Sequence, residues 1–175
     1  IMNIVYSYVL KKLLIIDVMV IAIGFVLRII AGASVAHITV SDWIILCTFF
    51  GSLFIGFGKR KNEALVLAEQ STKYRKTLSE YTPDFLNQLL SITAGITIIS
   101  YALYTIDQKT INHFQTNQLI YTLPFVVYGI FRYFHIIYNK SSGGEPTDIF
   151  LSDKPIILTS FLWAIVFILI TVFTN

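Results

Sequence analysis

Five long apolar runs, separated by short polar segments, decide what this 175-residue chain can become. They are read as membrane helices at roughly 13–33, 42–58, 85–106, 117–138 and 155–173. Each is near the roughly 20 residues that cross about 30 Å of hydrocarbon. Only 13% of the residues are charged against 55% hydrophobic, about half the charge of an average soluble domain. The mean hydropathy of +0.72 points the same way. The expected fold is a single all-α integral membrane domain over residues 1–175. Pro124, Gly24 and Gly95 are isolated breaks of the kind membrane helices tolerate. Trp43, at a span end, reads as an interfacial anchor; Trp163, mid-span, reads as packing. Cys47 lies in an apolar run and excludes an internal disulfide. No cleavable signal pattern stands at the N-terminus.

Charge fixes the expected direction of the spans. One set of connections holds ten of the 13 Lys and Arg residues: Lys11 and Lys12, six between positions 59 and 76, Lys140 and Lys154. The other set, 34–41 and 107–116, holds only Lys109. The positive-inside bias places loops 1–12, 59–84 and 139–154 in the cytoplasm and the C-terminus outside, in a multi-pass cell-membrane protein. Arg28 and Arg132 fall inside spans, as does Asp17. Intramembrane charge is costly and marks bundle interiors or wet cavities unless the side chain snorkels. Asp17 is open between the two. Arg28 is read as snorkelling, and Arg132, crowded by Phe131, Tyr133 and Phe134, as facing a cavity.

The loop from Gly56 to Asp84 carries more than an anchor needs. Lys59 and Glu63, Glu69 and Lys73, and Lys76 and Glu80 are each four apart, the spacing of partners on one helix face. The second span is therefore expected to continue as an amphipathic helix, with Ala64, Leu65, Val66 and Ala68 on its apolar side. Pro83 suits the start of the next span. The third loop, NKSSGGEPTDIFLSDK, is turn-rich and brings Glu145, Asp148 and Asp153. Lys, Arg, Tyr and carboxylates thus gather at one mouth of a helix bundle. Such a set suits an anionic, phosphate-bearing ligand, or a rim that holds acidic lipid. No phosphate loop, metal cluster, nucleophile elbow or dinucleotide fingerprint is present. His37, His113 and His135 are scattered and read as ordinary, and nothing points to nucleic acid.

Several stretches, taken in order, resemble one family. YSYVLKK (6–12), Asp17, GFVLRIIAG (24–32), GKRKNE (58–63), Phe131-Arg132-Tyr133 and GEPTDIFLSDKP (144–155) resemble the UbiA superfamily of membrane prenyltransferases. Within it they look like the branch that transfers phosphoribosyl groups to polyprenyl phosphate. No single motif is unique; their order and spacing over essentially the whole chain carry the resemblance. It implies a nine-helix bundle with a cytoplasmic active site, of which these spans look like the last five. The family's first Asp-rich motif, the main set of Mg²⁺ ligands, belongs to an earlier loop and is not found here. The chain is thus expected to be the C-terminal part of a longer enzyme and inactive alone, with Mg²⁺ implied but no metal ligand assigned within it. Where relatives that use prenyl diphosphates carry a second Asp-rich motif, this chain reads KRKNE (59–63). Direct cationic contacts suit a lipid monophosphate and a sugar phosphate.

The implied reaction joins polyprenyl phosphate to phosphoribosyl diphosphate. Lys59, Arg60 and Lys73 are the expected phosphate ligands, supported by Arg75, Lys11 and Arg132. Glu63 orients a cation or meets the ribose, and Asp17 orders Lys11 or meets sugar hydroxyls. Tyr6, Tyr74 and Tyr81 are candidate hydroxyl donors. Lys61, Lys76 and Glu80 are assigned to a solvated face. An aromatic prenyltransferase of the same fold and a non-enzymatic lipid-binding protein stay open as alternatives, as does homo-oligomerisation.

Overall fold

The computed structural model describes residues 14–69, 81–139, 148 and 151–173. All described elements are helical: α1 Ile16–Val35, α2 Asp42–Glu69, α3 Pro83–Ile106, α4 Gln108–Phe114, a 3₁₀ segment Gln118–Thr122, α5 Leu123–Asn139 and α6 Lys154–Phe173. Five segments are long and apolar enough to cross a membrane, making this a multi-pass membrane protein. The expected spans agree with them to within a few residues. Two details differ. The connection at 107–116 folds into the short helix α4. Pro124 does not break a span; it stands second in α5, behind the 3₁₀ segment, where a missing N–H costs nothing.

α2 runs 28 residues without interruption, about 42 Å at 1.5 Å per residue. That exceeds the hydrocarbon thickness and carries its charged end beyond it, as the pairing of charges predicted. Ala64 packs against the core; the side chains of Leu65, Val66 and Ala68 lie outside the described residues. α3 begins at Pro83, with Thr82 as its N-cap accepting from the Phe85 N–H at 3.3 Å.

α2 is the hub, packing against α1, α3 and α5, while α6 leans on α5 and the 3₁₀ segment. The core is not centred along the bundle. Val18 and Ala22 of α1, Phe57 of α2, Leu86 of α3, Ile137 of α5 and Ile156 of α6 are buried together, and most stand near the charged end of α2. Elsewhere, large apolar side chains such as Phe25, Ile99, Phe161 and Ile168 are exposed. Hydrocarbon solvates them, so only the backbone must be satisfied internally, which the helices do.

Two glycines set the helix separations. A β-carbon on Gly56 would lie 2.4 Å from Val18 Cγ1, and one on Gly58 would lie 2.6 Å from Ile137 Cδ1 and 2.7 Å from the Tyr133 hydroxyl. Small residues let membrane helices approach closely. At the far end Trp163 Nε1 donates to the Tyr101 hydroxyl at 2.9 Å, which pairs with Thr122 Oγ1 at 2.6 Å. Trp163 is therefore packed, as expected, and also ties α6 to α3. Ser41 Oγ donates to Asp107 Oδ2 at 2.9 Å and joins the α1–α2 connection to the end of α3. Gly56→Ala should force α1 off α2 and cost about 1–3 kcal/mol, read as a lower melting temperature in detergent; Gly32→Ala, with open space around it, should melt like the parent.

Candidate functional site

The register of α2 sorts its charges onto different faces. Successive residues turn by about 100°. Gly56, Arg60 and Glu63 share the α1-facing stripe, and Phe54, Gly58 and Lys61 share the α5-facing one.

On the first stripe Arg60 sits between two carboxylates. Its Nε donates to Asp17 Oδ2 at 2.7 Å, and its Nη1 donates to Glu63 Oε2. Asp17 is 2% exposed and Arg60 6%. Asp17 Oδ1 accepts from the Tyr81 hydroxyl at 3.1 Å, and the Tyr81 oxygen accepts the Ile15 N–H at 2.8 Å. A buried carboxylate is tolerable only when paired and hydrogen-bonded, and both oxygens of Asp17 are used. Burial pushes the Tyr81 phenol above its ordinary pKa, with the Asp17 charge adding to the rise. It therefore remains a hydroxyl that donates to Asp17. Ile15 has φ 68°, a left-handed conformation that strains a β-branched residue. The Tyr81 oxygen takes the one backbone donor that this conformation turns inward.

The structure thus brings together Asp17, Arg60, Glu63 and Tyr81 from three separate segments. Asp17 faces a bundle interior, which resolves that ambiguity. Its described cation partner is Arg60; the expected partner Lys11 lies outside the described residues. Arg60 spends its Nε and one Nη1 donor on these carboxylates. Lys59 is half-buried one position earlier. Tyr6, Lys11, Lys73, Tyr74 and Arg75 lie outside the described residues, as do Lys76 and Glu80.

Lys61 overturns its assignment to a solvated face. It is 6% exposed. Its Nζ donates to Asn87 Oδ1 at 2.7 Å and stands 4.7 Å from the centre of the Tyr138 ring. The helical register with Phe54 and Gly58 carries the signal that Lys61 points inward.

Arg132 is also committed. Its Nε and Nη2 donate to Asp153 Oδ1 and Oδ2 at 3.2 and 2.9 Å. Asp153 Oδ1 further accepts the Ile156 N–H at 3.1 Å, capping α6. The pair is a bidentate tie between α5 and the start of α6. Arg28 is exposed on α1, 5.1 Å from the Phe25 ring centre, in keeping with a snorkelling side chain. Among the described residues no group of three or more His, Cys, Asp and Glu is placed to hold a metal. Asp17 and Glu63, the carboxylates nearest the candidate site, both accept from Arg60, so these residues do not by themselves fit Mg²⁺.

Arg60→Gln should leave Asp17 buried without its counter-charge and cost about 3–5 kcal/mol. Adding Asp17→Asn should recover part of that loss, as a double-mutant cycle on thermal unfolding would register. Strictly additive losses would mean that the two do not act as a pair. Tyr81→Phe should cost about 1–3 kcal/mol by stranding the Ile15 N–H and one Asp17 oxygen, read in the same unfolding assay.

No family model matches the chain. Curated relatives do. The chain is 34% identical over 160 residues to a decaprenyl-phosphate phosphoribosyltransferase of Corynebacterium glutamicum, covering 90% of this chain and 47% of that protein. It is 29% identical over 165 residues to the enzyme of that name from Mycolicibacterium smegmatis, covering 90% and 51%. It is 28% identical over 162 residues to the one from Mycobacterium tuberculosis, covering 93% and 52%. The chain spans about half the length of the curated relatives it matches. Nearly all of this five-span membrane chain is thus homologous to about half of proteins named decaprenyl-phosphate phosphoribosyltransferase, in keeping with a relative of the UbiA type.

Proposed function

We propose that this chain forms part of a membrane transferase that moves a 5-phosphoribosyl group from phosphoribosyl diphosphate to a polyprenyl phosphate. The observation that carries the reading is the similarity to the named phosphoribosyltransferases over about nine-tenths of the chain. The chemistry of the charged end supports it. Polyprenyl phosphate and phosphoribosyl diphosphate are both anions, and this end offers Lys59 and Lys61 on α2 beside an apolar bundle.

In the proposed reaction an oxygen of the lipid phosphate attacks the anomeric carbon. The bond from that carbon to the diphosphate breaks, and diphosphate leaves with the bonding electrons. Charge builds on the leaving group, so the task of the protein is positioning and electrostatic stabilisation. We assign Lys59 to a substrate phosphate. Arg60, held by Asp17 and Glu63, serves as a rigid ionic tie that fixes this stretch of α2 against α1 and hence the aim of its neighbours. We place Mg²⁺, when the donor needs it to neutralise its diphosphate, on carboxylates other than Asp17 and Glu63. We also place this end of the bundle in the cytoplasm of a cell-membrane protein, on the distribution of Lys and Arg.

The test uses membranes from cells expressing the complete gene that encodes this chain, supplied with radiolabelled phosphoribosyl diphosphate and polyprenyl phosphate. Label should enter the lipid fraction and depend on the lipid phosphate. Lys59→Ala should lower incorporation roughly ten- to a hundredfold, the worth of a charge-assisted hydrogen bond, with the melting temperature unchanged. No incorporation, together with turnover of a prenyl diphosphate onto an aromatic acceptor, would sink the proposal.

A further inference from the structure

Lys61 differs from the other described cations at this end. Arg60 and Arg132 each meet a carboxylate, and Lys59 is only half-buried. Lys61 is buried, and its described polar partners are one neutral amide oxygen and one ring face. Removing an ammonium from water costs several kcal/mol, and neither partner carries the charge that would offset it. An ammonium has three donors; Asn87 takes one and the Tyr138 face attracts another, leaving capacity for an anion.

Tyr138 links this cation to an apolar surface. The same ring helps line a groove of about 280 Å³ with Phe131, Phe134 and His135. These positions, i, i+3, i+4 and i+7, form one face of α5. Phe134 and Tyr138 stack with centroids 6.4 Å apart, and Phe131 and Tyr138 are exposed. The groove therefore runs along the last two turns of α5, and the Tyr138 ring that lines it also contacts the Lys61 ammonium. A sugar phosphate has no use for an aromatic trough. A phosphate on an isoprenoid chain uses both halves.

We propose that Lys61 binds the phosphate of the lipid acceptor, with the first isoprene units lying on the Phe131–Phe134–Tyr138 face of α5. This rests on the transfer reaction proposed above, and it assigns the acceptor to the α2–α5 side of the bundle, away from the Arg60 cluster on the α1 side. Tyr138 is the shared element: it lines the groove and steadies the ammonium.

The full-length protein, in phosphatidylcholine nanodiscs, is photolabelled with diazirine-bearing polyprenyl phosphate. Excess unlabelled polyprenyl phosphate should abolish labelling; polyprenol and phosphatidylglycerol should not. The label should map to residues 131–138. Lys61→Met should cut labelling at least tenfold while melting at or above the parent temperature, since it removes a charge without a counter-ion; Lys61→Arg should keep most of the labelling. Tyr138→Ser, on an exposed face, should weaken labelling without unfolding the protein, and it serves if Lys61→Met fails to fold. Parent-level labelling of either folded variant overturns the proposal. Equal competition by phosphatidylglycerol also overturns it, by marking an ordinary bilayer-lipid site. Phosphoribosyl transfer that proceeds while labelling ignores Lys61 removes the subsite alone. Loss of both transfer and labelling in the parent protein removes the reaction and the subsite together.

Discussion

A guanidinium held between two carboxylates at the mouth of a membrane bundle is the constraint on which this structure turns. Arg60 reaches Asp17 on α1 and Glu63 on its own helix. Neither Asp17 nor Arg60 could stay buried alone, because an isolated charge at that depth loses far more hydration than packing returns. Together they set the register of α1 against α2. Gly56 then has to be a glycine, since Val18 lies where its β-carbon would be, and Val18 follows Asp17 directly in sequence. One turn of α1 thus supplies both the ionic and the steric half of the contact.

Tyr81 extends this arrangement across a long gap in the chain. It enters from just before α3, 64 residues from Asp17, and binds both that carboxylate and the backbone of Ile15. The left-handed Ile15 is an energetic cost set against a hydrogen bond and the burial of the Tyr81 ring in the core. Three segments therefore converge at one end. The core follows the same bias, with Leu86, Ile137 and Ile156 gathered there. The other end is joined by hydroxyls and an indole N–H, centred on Tyr101. The end that holds the buried Asp17–Arg60 pair is also the end where most of the buried core side chains gather.

The three consecutive cations of the KRK run have different fates because a helix turns by about 100° per residue. Lys59 stays half-buried, Arg60 is neutralised against α1, and Lys61 is buried against α3 and α5. Read as a string, they form one basic patch. Read on a helix, they are three separate electrostatic environments, and the middle one is closed by Asp17 and Glu63. Arg132 and Asp153 show the same thing in a simpler form: an intramembrane arginine that looked poised for a ligand is a clamp on the first turn of α6.

The sequence by itself determined the helical class, the five spans and the extension of α2, because each depends on run length, hydropathy and the spacing of charges along the chain. It also carried the resemblance that the comparison with curated relatives bears out. Pro83 at the start of α3 was likewise legible, because the preference for proline there is local. Partner identity was not. That Asp17 meets Arg60 and Tyr81, that Lys61 turns inward toward Asn87 and Tyr138, and that Arg132 answers to Asp153 depend on rotations and separations between helices. Those are set by Gly56, Gly58 and the side chains packed around them, because rotation and separation between helices are properties of packing and not of any one segment.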